Sequence, residues 1–179
     1  MKKVTRNILV GLLIVSTLFL MAFTPAIWPQ SNGVMAATPK PQAGQNVNKN
    51  LSLILQREEN VSQRQQLHLT KASQVASKAQ DLISKAQAKG VNVDDLVKAL
   101  ADFNAKLADA QKAHDQAVSI LNAKNGFDSS GNVTDRQAAH QTLMDARDNL
   151  RQAHLSLANG VLTLRTAVLN WRIAHQKTK

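Results

Sequence analysis

The side chains best equipped for chemistry in this chain are its histidines, because it has no cysteine and no tyrosine. His114 stands at a core position of a helical segment, and the hairpin register set by charge spacing brings it near His68, with Gln65 one turn away. Imidazoles from facing helices can ligate zinc, copper or haem inside a bundle. No carboxylate or further histidine stands at ligand spacing on those two segments. His68 and His114 are therefore read as a polar layer that fixes register, the commoner use of such residues. His140, His154 and His175 share one side of the last helical segment, with Arg147 between the first two. Fourteen residues separate His140 from His154, about 21 Å along a helix and too far to share one ion. No metal or cofactor is assigned.

The stretch from Asp128 to Asp135 has the glycine turn of a calcium loop, with Val133 two residues after Gly131. Ser130 stands where a ligand should precede the glycine, and Gln137 where a bidentate Glu should close the site. A turn followed by a helix N-cap explains it. The chain has no nucleophile motif such as G-x-S-x-G and no paired carboxylates in an expected cleft, so no enzymatic activity is expected.

Charge says more. The chain carries 22 Lys+Arg against 12 Asp+Glu, a formal net charge of +10. Arg57, Arg64, Lys71, Lys78 and Lys85 recur every seven residues; after Asp148 no acidic residue remains, while Arg151, Arg165 and Arg172 follow. Arg57, Arg64, Lys71, Arg165 and Arg172 are the candidates for holding anionic lipid or a cell-envelope polymer. Nucleic acid is not expected, because aromatics for base stacking make up only 3% of the chain. Leu155, Leu162 and Leu169 form a row that faces away from the seam of the last helix, widened by Val161, Val168 and Ile173. A helix apolar nearly all round must be covered on more than one side. Either the first helix covers this row, or Leu155, Leu162, Leu169 and Trp171 form a strip for a protein partner or for self-association.

Three helices must position these groups. From about Asn50 to Lys89 the chain has no Gly or Pro, and Ile54, Val61, Ala72, Val75, Ala79, Leu82 and Ala86 recur with a helical period. Gly90 ends this helix, after Lys85 and Lys89 in its last turn. Asn92 is the expected N-cap of a second helix over 93–123. Thr134 and Gln137 fit a capping box for a third helix that runs from 134 to about 175. The second helix carries Val93, Leu96, Leu100, Phe103, Leu107, Ala110, His114, Ala117 and Leu121 at strict three-four spacing, a heptad seam. The third alternates large residues (Leu143, Leu150, Leu157, Leu164, Trp171) with small ones (Ala139, Ala146, Ala153, Gly160, Ala167, Ala174). An antiparallel pairing sets large against small: Leu107 with Ala153, Ala110 with Leu150, Leu100 with Gly160, Ala117 with Leu143 and Leu121 with Ala139. On the first helix the basic ladder matches Asp95, Asp102 and Asp109 of the second, predicting Lys85–Asp95, Lys78–Asp102 and Lys71–Asp109 as neighbours. The result is an all-α fold, an elongated antiparallel three-helix bundle, coiled-coil-like and up-down-up.

The N-terminus supplies an address. Lys2, Lys3 and Arg6 precede an uncharged run from Ile8 to Phe23, the n-region and h-region of an export signal. Cleavage after Ala36 is expected, with an uncleaved anchor as the alternative, since the run is short of the roughly 20 apolar residues a span needs. Residues 37–49, with Pro39, Pro41 and Gly44, read as a flexible linker, and 50–179 as the bundle. The expected protein is exported: periplasmic, cell-surface or secreted. Its expected role is a non-enzymatic interaction protein, an adaptor or chaperone-like helical bundle that binds protein partners. The alternative is a structural surface protein that binds anionic lipid or envelope polymer through its basic helix faces.

Overall fold

The computed structural model describes the backbone of residues 43–176. The leader and the first part of the linker lie outside the described residues. Three helices account for the fold: α1 (Ala43–Gln87), α2 (Asp94–Ala123) and α3 (Arg136–Gln176). They form an all-α three-helix bundle. Among the described residues, no helix is long and apolar enough to cross a membrane.

Helix α1 begins at Ala43, so 43–49 is helical where composition indicates a tether. These residues contain no helix breaker beyond Gly44, and Arg136 Nε donates to Asn48 Oδ1 at 3.2 Å, tying this turn to the start of α3. The other end closes as a Schellman motif. Gly90, at φ +69°, lets Val91 N reach Ala86 O at 3.1 Å while its own N bonds Gln87 O at 2.9 Å. At the start of α2 the N-cap position is Val93 rather than Asn92. Asn92 still supplies the acceptor, its Oδ1 taking the Asp94 N–H at 3.1 Å.

The α2–α3 loop is built around Asp128. Its Oδ1 accepts from the backbone N–H groups of Ser130 and Asn132, each at 2.9 Å, and its Oδ2 from Asn132 Nδ2 at 3.0 Å. These bonds hold its carboxyl below the usual range, with the Asn132 side chain the largest cause. Phe127 and Val133 pair across the loop, and Gly126 O accepts from Thr134 N and Asp135 N. Gly126 has φ +84°, and a Cβ there would strike the backbone of Asp135, Ala138 and Ala139. The cap of α3 is Asp135, not Thr134: its Oδ1 accepts from Gln137 N at 2.9 Å and Ala138 N at 3.1 Å. The Thr134 and Asp135 N–H groups both bond Gly126 O, and α3 starts at Arg136, which leaves the Asp135 side chain next to the free N–H groups of the first turn.

The seams of α2 and α3 lie inside as their spacing indicates, with Phe103, Ala110, Ala117, Ala139 and Ala146 fully buried. Ala174, in the last turn of α3, is exposed. The pairing slips locally by about one turn. Gly160 packs on Phe103 and Lys106 rather than on Leu100: a Cβ added to it would lie 3.2 Å from Phe103 Cδ2 and 2.9 Å from Lys106 Cβ. The bulkiest side chain of α2 thus takes the space opened by the glycine of α3.

In α1 the seam differs from the sequence expectation. The buried positions are Leu51, Leu55, Glu58, Ser62, Leu69, Ala72, Ala76, Ala79, Ile83 and Ala86, with Gln65 half-buried in the same series. Ile54, Val61, Val75 and Leu82 form a half-buried flank beside it. The two columns sit about 60° apart on the helix, and burial of the first puts the second at the edge facing α3.

Candidate functional site

Two apolar clusters fill the bundle, and a polar belt separates them. One runs from Leu69 and Leu96 to Trp171 at the Gly90 end; the other joins Leu51, Leu55, Leu121, Phe127, Ala139 and Leu143 at the opposite end. Between them Glu58, only 1% exposed, accepts from Arg147 Nε at 3.1 Å and Nη2 at 2.9 Å through Oε1. Both bonds converge on one oxygen, and the buried Oε2 has no hydrogen-bond partner. Two turns on, Gln65 bridges all three helices: its Nε2 donates to Leu150 O at 2.9 Å, and its Oε1 lies 3.1 Å from His114 Nδ1. That geometry has the Nδ1–H donating to the amide oxygen.

The layer expected at His114 is therefore present, and its direct partner is Gln65. Burial is the largest cause that lowers the His114 pKa, with the neighbouring Asp115 opposing it. The His68 pKa is also lowered, by burial first, then by Lys71 and by His154 of α3. Among the described residues, no three His, Asp or Glu side chains converge to hold an ion. An open groove of about 570 Å³ between α1 and α2 runs beside the belt, lined by Glu59, Ser62, Gln66, His114, Val118 and Asn122.

Sequence reasoning missed Glu58. The signal was present: Leu51, Leu55, Glu58, Ser62, Gln65 and Leu69 keep unbroken three-four spacing. The apolar pattern breaks at Glu58, Ser62 and Gln65, whereas the flanking column keeps Ile54, Val61, Val75 and Leu82. The His140, Arg147, His154 side of α3 is the side turned toward α1, as the Glu58–Arg147 bond requires. His175 continues it, stacked on Trp171 with ring centroids 4.4 Å apart and its Nδ1 2.8 Å from Trp171 O.

The leucine row is uncovered. Leu155 is 50% exposed, Leu162 62%, Leu169 40% and Ile173 53%. Helix α1 does not cover it, because α1 packs against the column one step round α3. Trp171 does not belong to the strip: it is buried, and its Nε1 donates to Asn92 O at 2.8 Å, locking the end of α3 onto the α1–α2 turn. Val168 is buried and Val161 half-buried against the same core.

The basic candidates fall in two rows. Arg57, Arg64 and Lys71 are exposed along α1, continued by Lys78 and Lys85. Arg165 is exposed on α3, while Arg172 is half-buried, its Nε enclosed without a hydrogen-bond partner. The ladder does not pair with Asp95, Asp102 and Asp109. The antiparallel register is as expected, since Gln65 meets His114, but the Asp column lies on the α3 side of α2, beside Lys106, which meets Gly160. Asp109 pairs instead with Lys106 at 3.6 Å, and Lys124 reaches Glu59 at 3.7 Å. Such exposed pairs contribute at most about 1 kcal/mol. Compared with protein-family models, curated proteins and solved structures, the chain matches none of them.

Proposed function

We propose that the protein is an exported, non-enzymatic interaction protein, an adaptor or chaperone-like bundle that binds protein partners along α3. The observation that carries this reading is the row Leu155, Leu162, Leu169 and Ile173, each at least 40% exposed on the face opposite the core. A core-facing surplus would be buried; this row points into solvent over five turns of helix. Covering one such leucine is worth up to about 2 kcal/mol, so a row of them supplies several. Arg151, Arg165 and Arg172 border the row on one side, and Gln152, Asn159 and Asn170 on the other. An apolar centre with a polar, charge-bearing edge is the usual anatomy of a protein contact.

The test is retention of envelope proteins on the immobilised full chain at high salt, compared with Leu162→Gln/Leu169→Gln. Both side chains are largely exposed, so the variant should keep its stability within about 0.5 kcal/mol. It should lose the salt-resistant partners. Unchanged retention would contradict the reading.

A further inference from the structure

The two basic rows lie side by side. Helices α1 and α3 run parallel, and three cross-helix contacts fix their offset: Gln65 to Leu150, Arg136 to Asn48 and Arg147 to Glu58 join residues 85, 88 and 89 apart. Within that offset Arg64 stands level with Arg151, Lys78 with Arg165 and Lys85 with Arg172. The angular positions agree as well as the axial ones. On α1 the ladder lies next to the Ile54, Val61, His68, Val75 column that faces α3, and Lys71 is close enough to His68 to lower its pKa. On α3, Arg151, Arg165 and Arg172 lie between the leucine row and the His154, Val161, Val168 column that faces α1. All but the half-buried Arg172 are exposed.

The α1 cations repeat every seven residues, about 10 Å along the axis, and the α3 row matches them at Arg151, Arg165 and Arg172, whereas Lys71 stands level with Ala158. Acidic residues are sparse on this face: Glu58 is buried in the belt, Glu59 turns to Lys124 and Asp145 lies on the α2 side of α3, while the exposed Asp148 heads the leucine column one turn before Arg151. Asp81, on the outer shoulder of α1, is the nearest exposed carboxylate along the α1 ladder. Rows of unneutralised cations held by rigid helices concentrate a positive field along one line.

The geometry points to this α1–α3 face as a binding site for a linear polyanion lying parallel to the bundle axis. Charge complementarity names the ligand class, and the one-dimensional ladder favours a chain over a single anion: an anion at one rung meets two cations, whereas a polymer engages successive rungs and releases counterions at each. A bilayer is the less fitting occupant, because the exposed leucines lie on the outer shoulder of α3 and turn away from the plane through both rows. This site shares Arg151, Arg165 and Arg172 with the edge of the leucine row but includes none of its leucines, so leucine variants and cation variants distinguish the two readings.

Inorganic polyphosphate long enough to span the ladder is the probe, with pyrophosphate as the single-rung control and phosphatidylglycerol vesicles as the bilayer control. The full chain should bind the long polymer with an affinity that falls steeply with salt, and pyrophosphate at least tenfold more weakly. Arg64→Gln/Lys78→Gln/Arg165→Gln should weaken polymer binding more than tenfold. Lys98→Gln/Lys106→Gln/Lys112→Gln removes the same charge from α2 and should change it by less than about threefold. Equal losses in the two variants would overturn the proposal, as would binding to vesicles without binding to polyphosphate. Both variants retain every leucine of the α3 row, so neither outcome depends on the protein-partner reading.

Discussion

The Gly90 half of the bundle and the belt around Glu58 and His114 hold the same three helices together by opposite means. In the Gly90 half, bulky residues of one helix enter the spaces left by Gly and Ala on its neighbours, as Phe103 does over Gly160. In the belt, Arg147 donates to Glu58, and Gln65 links His114 to the Leu150 carbonyl. Apolar packing tolerates sliding, since one alanine resembles the next. Hydrogen bonds do not: moving α1 by one heptad would take Glu58 off the Arg147 guanidinium to the level of His140 or His154, and would break the contact of Gln65 with His114. The apolar half supplies cohesion and the belt supplies register.

The largest effects should separate these roles. Phe103→Ala empties a fully buried site and should cost about 3–5 kcal/mol in denaturant unfolding. Arg147→Met should cost about 3 kcal/mol, because it leaves a buried carboxylate unpaired. Adding Glu58→Met should restore most of that loss, as apolar replacements of buried pairs generally do. No such rescue exists for Phe103. A double variant as unstable as Arg147→Met alone would show that the pair contributes cohesion after all, and would break the comparison.

A smaller effect should come from acid. His68 and His114 have pKa values below the ordinary 6.5, so the unfolded chain takes up their protons first as pH falls. Their contribution is complete above about 6.5 and is lost as pH falls through that value toward the lower folded pKa. The charged groups facing them are Lys71, His154 and Asp115, of which only Asp115 opposes the shift. Urea midpoints should therefore drop between pH 7.5 and 5, and His114→Gln should flatten part of that drop. An unchanged slope would remove His114 from the belt's energetics.

Much of the architecture was legible because α2 and α3 are regular. Their seams have no gaps, and Gly90, Gly126 and Gly131 mark the turns. Helix α1 was legible as a helix but not in its angular setting, because its seam passes through Glu58, Ser62 and Gln65. The same limit explains the ion-pair ladder: spacing along a helix reports axial register, whereas facing depends on which column is buried. Arg64 and Arg151 could be placed level only once the cross-helix bonds of Asn48, Glu58 and Gln65 were known. Leu162 stood out on both counts, while Trp171 was misplaced because its indole also finds a backbone acceptor at Asn92.

The central claim is that the belt fixes α1 parallel to α3 at this one offset, and distances between spin labels test it directly. The chain has no cysteine, so label pairs can be placed at Arg64 with Arg151 and at Lys78 with Arg165 without competing thiols. The account predicts equal, short distances for the two pairs, set by neighbouring helix axes about 8–10 Å apart plus the label arms. Unequal distances, or both lengthened as by a slide of one heptad, would contradict it.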